Sequence, residues 1–202
     1  MEQQNDRTDE ATAAPEATAS AERDGITTPK VWVASLSDYN AGRLVGAWVR
    51  ADSEEHLWAG IQSVLASSRE PNAEEWAFHD YEGFGDLRLG EYVSVESLAR
   101  LGAGIVEHGV AFAHFASLVD WEDAERLEKF QEAYQGHFES LAEYGRYLVE
   151  IYDIERAIEA LPELVAPYVR VDTEAFARDA ELGGMIMTSE GDGGIYVFEA
   201  DV

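Results

Sequence analysis

Two apolar, β-rich runs set the first constraint on the fold. In Val31-Trp32-Val33-Ala34-Ser35-Leu36-Ser37-Asp38-Tyr39-Asn40-Ala41-Gly42-Arg43-Leu44-Val45-Gly46-Ala47-Trp48-Val49 they flank a polar loop carrying Asp-Tyr-Asn-x-Gly. Asp and Asn accept tight backbone geometry, and glycine takes positive φ without steric cost. The stretch predicts a β-hairpin with a loop longer than the minimum. Asp38, Tyr39 and Asn40 read as turn and packing chemistry rather than a catalytic trio. Apolar residues fall on both faces of the two strands, so more than one neighbour must cover them.

The rest of the chain extends this start into an α+β protein. After the hairpin, Asp52 is placed to cap a helix whose first turn carries Glu54 and Glu55, with Leu57, Ile61, Val64 and Leu65 on one face. Glu75 to His79 alternates as a third strand with both aromatics on one side. Ser94 starts a helix with Leu98, Leu101 and Ile105 inward. Phe112, Phe115 and Leu118 form a second helical face after Gly109. A third helix, capped at or near Asp120, turns Trp121, Leu127 and Phe130 inward.

Further on, Leu141, Tyr144, Leu148 and Tyr152 repeat helically, and Ile154, Ile158 and Leu161 make a shorter helix stopped by Pro162. Glu174 to Leu182 is another helix. Met185–Thr188 and Ile195–Phe198 flank Glu190-Gly-Asp-Gly-Gly194, a strong hairpin signal, with a short strand near Tyr134 to Phe138 placed to join it. These changes of character divide the chain into an acidic disordered tail over 1–28, an α+β domain over 29–91, a helical domain over 92–135 and an α+β domain over 136–202.

Charge is the second constraint. Forty-one acidic residues stand against 14 basic ones, a formal charge of −27. Only Lys30 and Lys129 are lysines. Such self-repulsion weakens a compact state and disfavours nucleic acid or anionic lipid as a ligand. A salty medium or a positively charged partner would compensate. The apolar fraction of 46% is nonetheless that of an ordinary globular protein, enough for one good core or two to three small ones in 202 residues.

Several function classes lose support. The absence of cysteine excludes disulfides and thiolate metal sites. Met1 to Asp6 lacks the basic and apolar regions of a signal peptide, and the longest apolar run, Gly109 to Val119, is interrupted by His114 and too short to span a bilayer. The expectation is a cytoplasmic protein with no membrane partner. His79-Asp80 with Glu75 and Glu82 is the nearest approach to an acid–base or metal cluster, yet adjacent strand residues point to opposite faces. There is no HExxH, Walker A lysine, dinucleotide loop or nucleophile elbow. Neither cofactor, metal nor catalytic residue is expected.

The acids are ordered. Glu122, Glu125, Glu128 and Glu132 are spaced 3, 3 and 4 apart, which places them in one stripe on a helix. Glu155 and Glu159 repeat at four, as do Glu139 and Glu143, with Glu150 and Asp153 nearby. Like charges four apart cost roughly 0.2–0.5 kcal/mol per pair, so a stripe invites a reason. Four helical residues rise about 6 Å, close to the spacing of successive phosphates along a DNA strand. A solvated face or halophilic adaptation is the simpler account of the composition alone, but predicts acids scattered over every exposed face.

Val31 to Leu36, Tyr39-Asn40-x-Gly42-x-Leu44-x-Gly46-x-Trp48 and Ala77-Phe78-His79-Asp80-Tyr81-Glu82 resemble the antirestriction family known as ArdA. Phe176-Ala177-Arg178-Asp179, Gly183-Gly184 and Gly194 to Phe198 fit the same family in the same order, so the resemblance covers about residues 31–199. It implies an elongated, three-domain, non-enzymatic inhibitor carried by mobile DNA. Such a protein dimerises through its C-terminal domain and mimics bent B-form DNA in the DNA-binding groove of type I restriction–modification enzymes. The phosphate mimics expected here are Glu122, Glu125, Glu128, Glu132, Glu139, Glu143, Glu150, Asp153, Glu155 and Glu159. The family's antirestriction stretch falls near Asp153 to Tyr168, with Leu161, Pro162, Leu164 and Tyr168 the better matches; Ile154, Leu161 and Tyr168 also supply apolar surface for a homodimer. An acidic module that binds a basic nucleoid protein is the alternative.

Overall fold

The computed structural model describes residues 28–202, so all but the last residue of the expected tail lies outside it. The fold is α+β, with two three-stranded antiparallel sheets separated by helices. The opening hairpin forms as β1 (Lys30–Ser35) and β2 (Gly46–Arg50), and β3 (Trp76–Glu82) pairs with the other edge of β1. Val31 and Val33 of β1 are fully buried with Phe78 of β3, as period-two alternation requires. The hairpin loop is more than a turn. It contains a short helix, α1 (Leu36–Asn40), which Ser35 caps, and the chain leaves it through Gly42 at φ +75°.

Asp38 of that loop is fully buried and organises it. Its carboxylate accepts hydrogen bonds from the hydroxyls of Ser35 (3.0 Å) and Ser68, from Arg43 Nε (2.9 Å) and from the backbone N–H of Arg69. The Ser68 hydroxyl, followed by Arg43, Ser35 and Arg69, draws its pKa from 3.8 down to about 2 against the opposing effect of burial. A depressed carboxylate pKa stabilises the fold above its unfolded value, and that contribution fades as pH falls from about 4 towards 2. Asp38→Asn should therefore lower Tm at pH 7 and leave a flatter loss of Tm between pH 4 and 2 than the wild type shows. Thermal melts across that range check it.

The next helix, α2 (Glu54–Ala66), buries Leu57, Ile61 and Val64 against this sheet. Its cap is Ser53, not Asp52. The Ser53 hydroxyl accepts from the His56 N–H (3.2 Å), whereas the Asp52 carboxylate binds Arg50 and, at 2.6 Å, His56 Nδ1. In β3 the register shifts so that Trp32 faces Asp80 and Val33 faces Phe78, which leaves His79 as a bulge residue. Its ring lies 4.8 Å from that of Tyr39, so it packs at a strand irregularity.

Two helices follow, α3 (Val95–His108), capped by Ser94, and α4 (Val110–Leu118), separated by Gly109 at φ +75°. Next come α5 (Ala124–Glu128), α6 (Phe130–Ala133) and β4 (Tyr134–Phe138), then α7 (Leu141–Ile151), α8 (Ile154–Glu159), a 3₁₀ turn (Ala166–Tyr168) and α9 (Thr173–Leu182). The C-terminal hairpin of β5 (Ile186–Gly191) and β6 (Gly194–Glu199) forms as expected, and β4 joins it on β6 to give the order β4-β6-β5.

The central strand β6 has both edges paired, and its two faces are covered by different layers. Tyr196 and Phe198 point towards the middle helices, where the Phe198 ring lies 5.3 Å from Phe115 and 6.3 Å from Phe130. Val197, on the opposite face, packs with Tyr144, Leu148, Ala177 and Ala180 of the α7–α9 layer and with Ile186 of β5. A single apolar cluster runs from Val31 and Phe78 through Leu98 and Phe115 to Phe198, while the α7–α9 layer has its own. Tyr152 is the misfit in the expected α7 face. The helix ends at Ile151, one residue too early to turn Tyr152 inward, and Tyr152 is 67% exposed.

Candidate partner-binding surface

The four glutamates expected on one helix are distributed over a turn and two short helices. Asp123, rather than Asp120, starts α5: its carboxylate accepts from the backbone N–H of Glu125 (3.0 Å) and Arg126 (3.3 Å). Glu122 therefore precedes the helix. Glu125 and Glu128 belong to α5, and Glu132 follows in α6 after the break at Lys129. All four are exposed. Lys129 Nζ reaches Glu132 at 2.8 Å, an exposed pair of the kind that contributes little. Arg126, embedded among these acids, is turned away from them and donates to the carbonyls of Ala200 (2.8 Å) and Val202 (2.6 Å).

Glu139 and Glu143 divide by role. The Glu143 N–H donates to the Ser140 hydroxyl, and the Glu143 carboxylate accepts from the Glu139 N–H at 2.6 Å. The Ser-x-x-Glu sequence at 140–143 resembles a capping box, with the Glu143 carboxylate reaching one residue before the cap, and it would have marked Glu143 as structural. Glu139 itself is exposed at the rim of an open cleft of about 780 Å³, which also gathers Glu174, Glu190 and Asp192. The last three were outside the expected set; for Glu190 and Asp192 the acidic hairpin turn was the available signal.

Glu150 is exposed on α7, and Asp153 sits at φ +49° in the link to α8, 3.5 Å from Arg156. Glu155 and Glu159 are exposed on α8, which buries none of its side chains. Helix α8 stops at Glu159, ahead of Pro162. Around it the apolar residues expected at an interface lie largely in the open. Leu164 and Tyr168 are each 84% exposed, Leu161 is 37% exposed, Pro162 is exposed, and Ile154 is half-buried. Ile151, Tyr152 and Val165, outside the expected set, are exposed apolar residues of the same stretch.

Two histidines pack around Tyr196 of the C-terminal hairpin. His114 of α4 stacks on Tyr196 at 4.3 Å and places Nδ1 2.8 Å from the Ser189 hydroxyl, while His137 lies 4.6 Å from the Tyr196 ring on β4. Tyr196 Oη donates to Asp192 at 2.5 Å. Burial lowers the His114 pKa, which favours the neutral imidazole. This cluster ties α4 to the hairpin, and Tyr196 is itself only 2% exposed. Among the described residues no group of three or more His, Asp or Glu is arranged to hold a metal ion, and no helix is long and apolar enough to cross a membrane.

The family model described as antirestriction protein (ArdA) matches residues 31–193. A search of curated proteins finds no match.

Proposed function

The chain belongs to the ArdA antirestriction protein family, and we propose that it acts as a non-enzymatic inhibitor whose carboxylates stand in for DNA phosphates in the DNA-binding groove of a type I restriction–modification enzyme. Membership supports antirestriction as the function. The observation that carries the finer reading is that nine of the ten chosen carboxylates are exposed, all but Glu143. An exposed carboxylate keeps its charge and can meet arginine and lysine without first leaving a buried network. A net charge of −27 steers association with a basic groove over long range. The three-domain division at 29–91, 92–135 and 136–202 and a cytoplasmic site of action belong to the same reading.

Unmodified DNA should survive entry into a host with a type I system when this protein is expressed there, and should be degraded when it is not. Equal loss of DNA in both hosts would contradict the function.

Homodimerisation is part of the proposal. The exposed Tyr152, Leu161, Leu164, Val165 and Tyr168 all fall between residues 152 and 168 and are apolar side chains of the type that a second copy covers. At micromolar concentration the chain should scatter light as a dimer, and Leu164→Glu with Tyr168→Glu should scatter as a monomer with an unchanged circular dichroism spectrum. A monomeric wild type would remove the dimer from the proposal.

A further inference from the structure

The outer face of the first sheet is unexplained by the carboxylates. Val31 and Val33 point into the core, so Lys30 and Trp32, both only partly buried, lie on the other side of β1. Trp48 stands directly across from Trp32 on β2, and Asp80 directly across on β3. Paired residues share a face, so Trp48, Trp32 and Asp80 form one row over the sheet. The two indoles meet edge to face at 5.8 Å, and Trp48 is 43% exposed. Gly46 explains how the ring of Trp32 is held. A side chain there would begin 2.7 Å from Trp32 Nε1, so the indole lies over the bare backbone of the neighbouring strand.

Charge decides what such a platform would receive. Beside the tryptophan row, Lys30 stands between Arg50 and Glu82, and Arg50 is already bound to Asp52. Two cations thus face three carboxylates (Asp52, Asp80 and Glu82), within a chain of net charge −27. The complementary occupant is a cation with a flat face. A guanidinium stacks on an indole and donates to a carboxylate beside it, which a lysine ammonium does less well.

We propose that the Trp32–Trp48 face is a second docking element, one that stacks arginine side chains of the basic partner surface with Asp80 as the neighbouring acceptor. It rests on the reading that the partner is a type I methyltransferase groove, and adds to it a stacking contact that salt screens less than it screens exposed ion pairs.

Hydroxyl-radical footprinting of the full chain, alone and bound to a purified type I methyltransferase, tests this. Trp48 oxidation should fall at least about threefold in the complex, and Trp48→Ala should weaken binding about three- to thirtyfold without changing its dependence on salt. An arginine hexapeptide should shift the Trp48 indole N–H resonance more than a lysine hexapeptide does. Should Trp48→Ala fail to fold, Trp48→Phe and the wild-type footprint decide. A salt-sensitive complex in which Trp48 stays as oxidised as in the free protein would overturn this docking face and leave the inhibitor reading intact. Absence of any complex would overturn both. Protection that grows with protein concentration, without the enzyme, would assign the face to a second copy and overturn the proposal.

Discussion

Changing Glu125, Glu128, Glu132, Glu150, Glu155 and Glu159 together to glutamine should weaken binding to a type I methyltransferase on the order of a hundredfold or more. Each change alone should cost at most about fivefold. The estimate follows from exposed ion pairs, which contribute roughly 0.2–1 kcal/mol each, with about 1.4 kcal/mol to a tenfold change in affinity. All six side chains face solvent, so their removal leaves the core untouched. Relief of like-charge repulsion should even raise Tm slightly. The multiple variant should also bind with a weaker dependence on salt, because fewer charges are neutralised in the complex. Titration calorimetry at several salt concentrations gives both numbers. One glutamine substitution that abolished binding with the fold intact would show that a single contact dominates, against a distributed polyanion surface.

Gly145→Ala should be the most damaging conservative change in the C-terminal layer. In an ordinary helix interior the same change stabilises by about 0.5–1 kcal/mol. Here the added methyl would stand 1.8 Å from the carbonyl oxygen of Thr173, at the start of α9. Backbone cannot swing aside as a side chain can, so α7 and α9 must separate. Overpacking costs roughly 1–3 kcal/mol. At about 3 kcal/mol a domain of this size loses roughly 6–12 °C in Tm. The layer is vulnerable because its own apolar cluster is small, with Tyr144, Leu148 and Ala177 at its centre. Gly90→Ala, where nothing lies within 4 Å, is the matched control and should leave Tm within about 2 °C of the wild type. A Gly145→Ala protein that melts at or above the wild-type temperature would mean that α7 and α9 do not sit this close.

Features carried by local periodicity were legible in the sequence. The β-rich runs of β1 and β2, the inward face of α3 and the turn before β6 need only neighbours two to four residues apart. Pairing across distance was not. Asp38 becomes a buried hub only because Ser68, thirty residues on, closes over it, and no local pattern announces that contact. Arg126 reads as one more charge in an acidic stripe until the chain end folds back to meet it. Cap positions fell between these extremes. Ser53 took the role given to Asp52, and Asp123 the role placed at or near Asp120, because several side chains near a helix start can accept the same N–H and backbone geometry chooses among them.

The carboxylates follow the same division. Their exposure was legible from spacing, since a charged residue opposite an apolar face has nowhere else to point. Their arrangement was not. The break at Lys129 splits the expected stripe, and the cleft joins Glu139 to Glu174, Glu190 and Asp192 from three separate parts of the chain.

The most direct test of DNA mimicry is competition for the groove. A fluorescent DNA duplex bound to a purified type I methyltransferase should be displaced as this protein is added, with an inhibition constant that rises with duplex concentration and weakens with salt. An enzyme that keeps its DNA while its activity is blocked would contradict occupation of the groove.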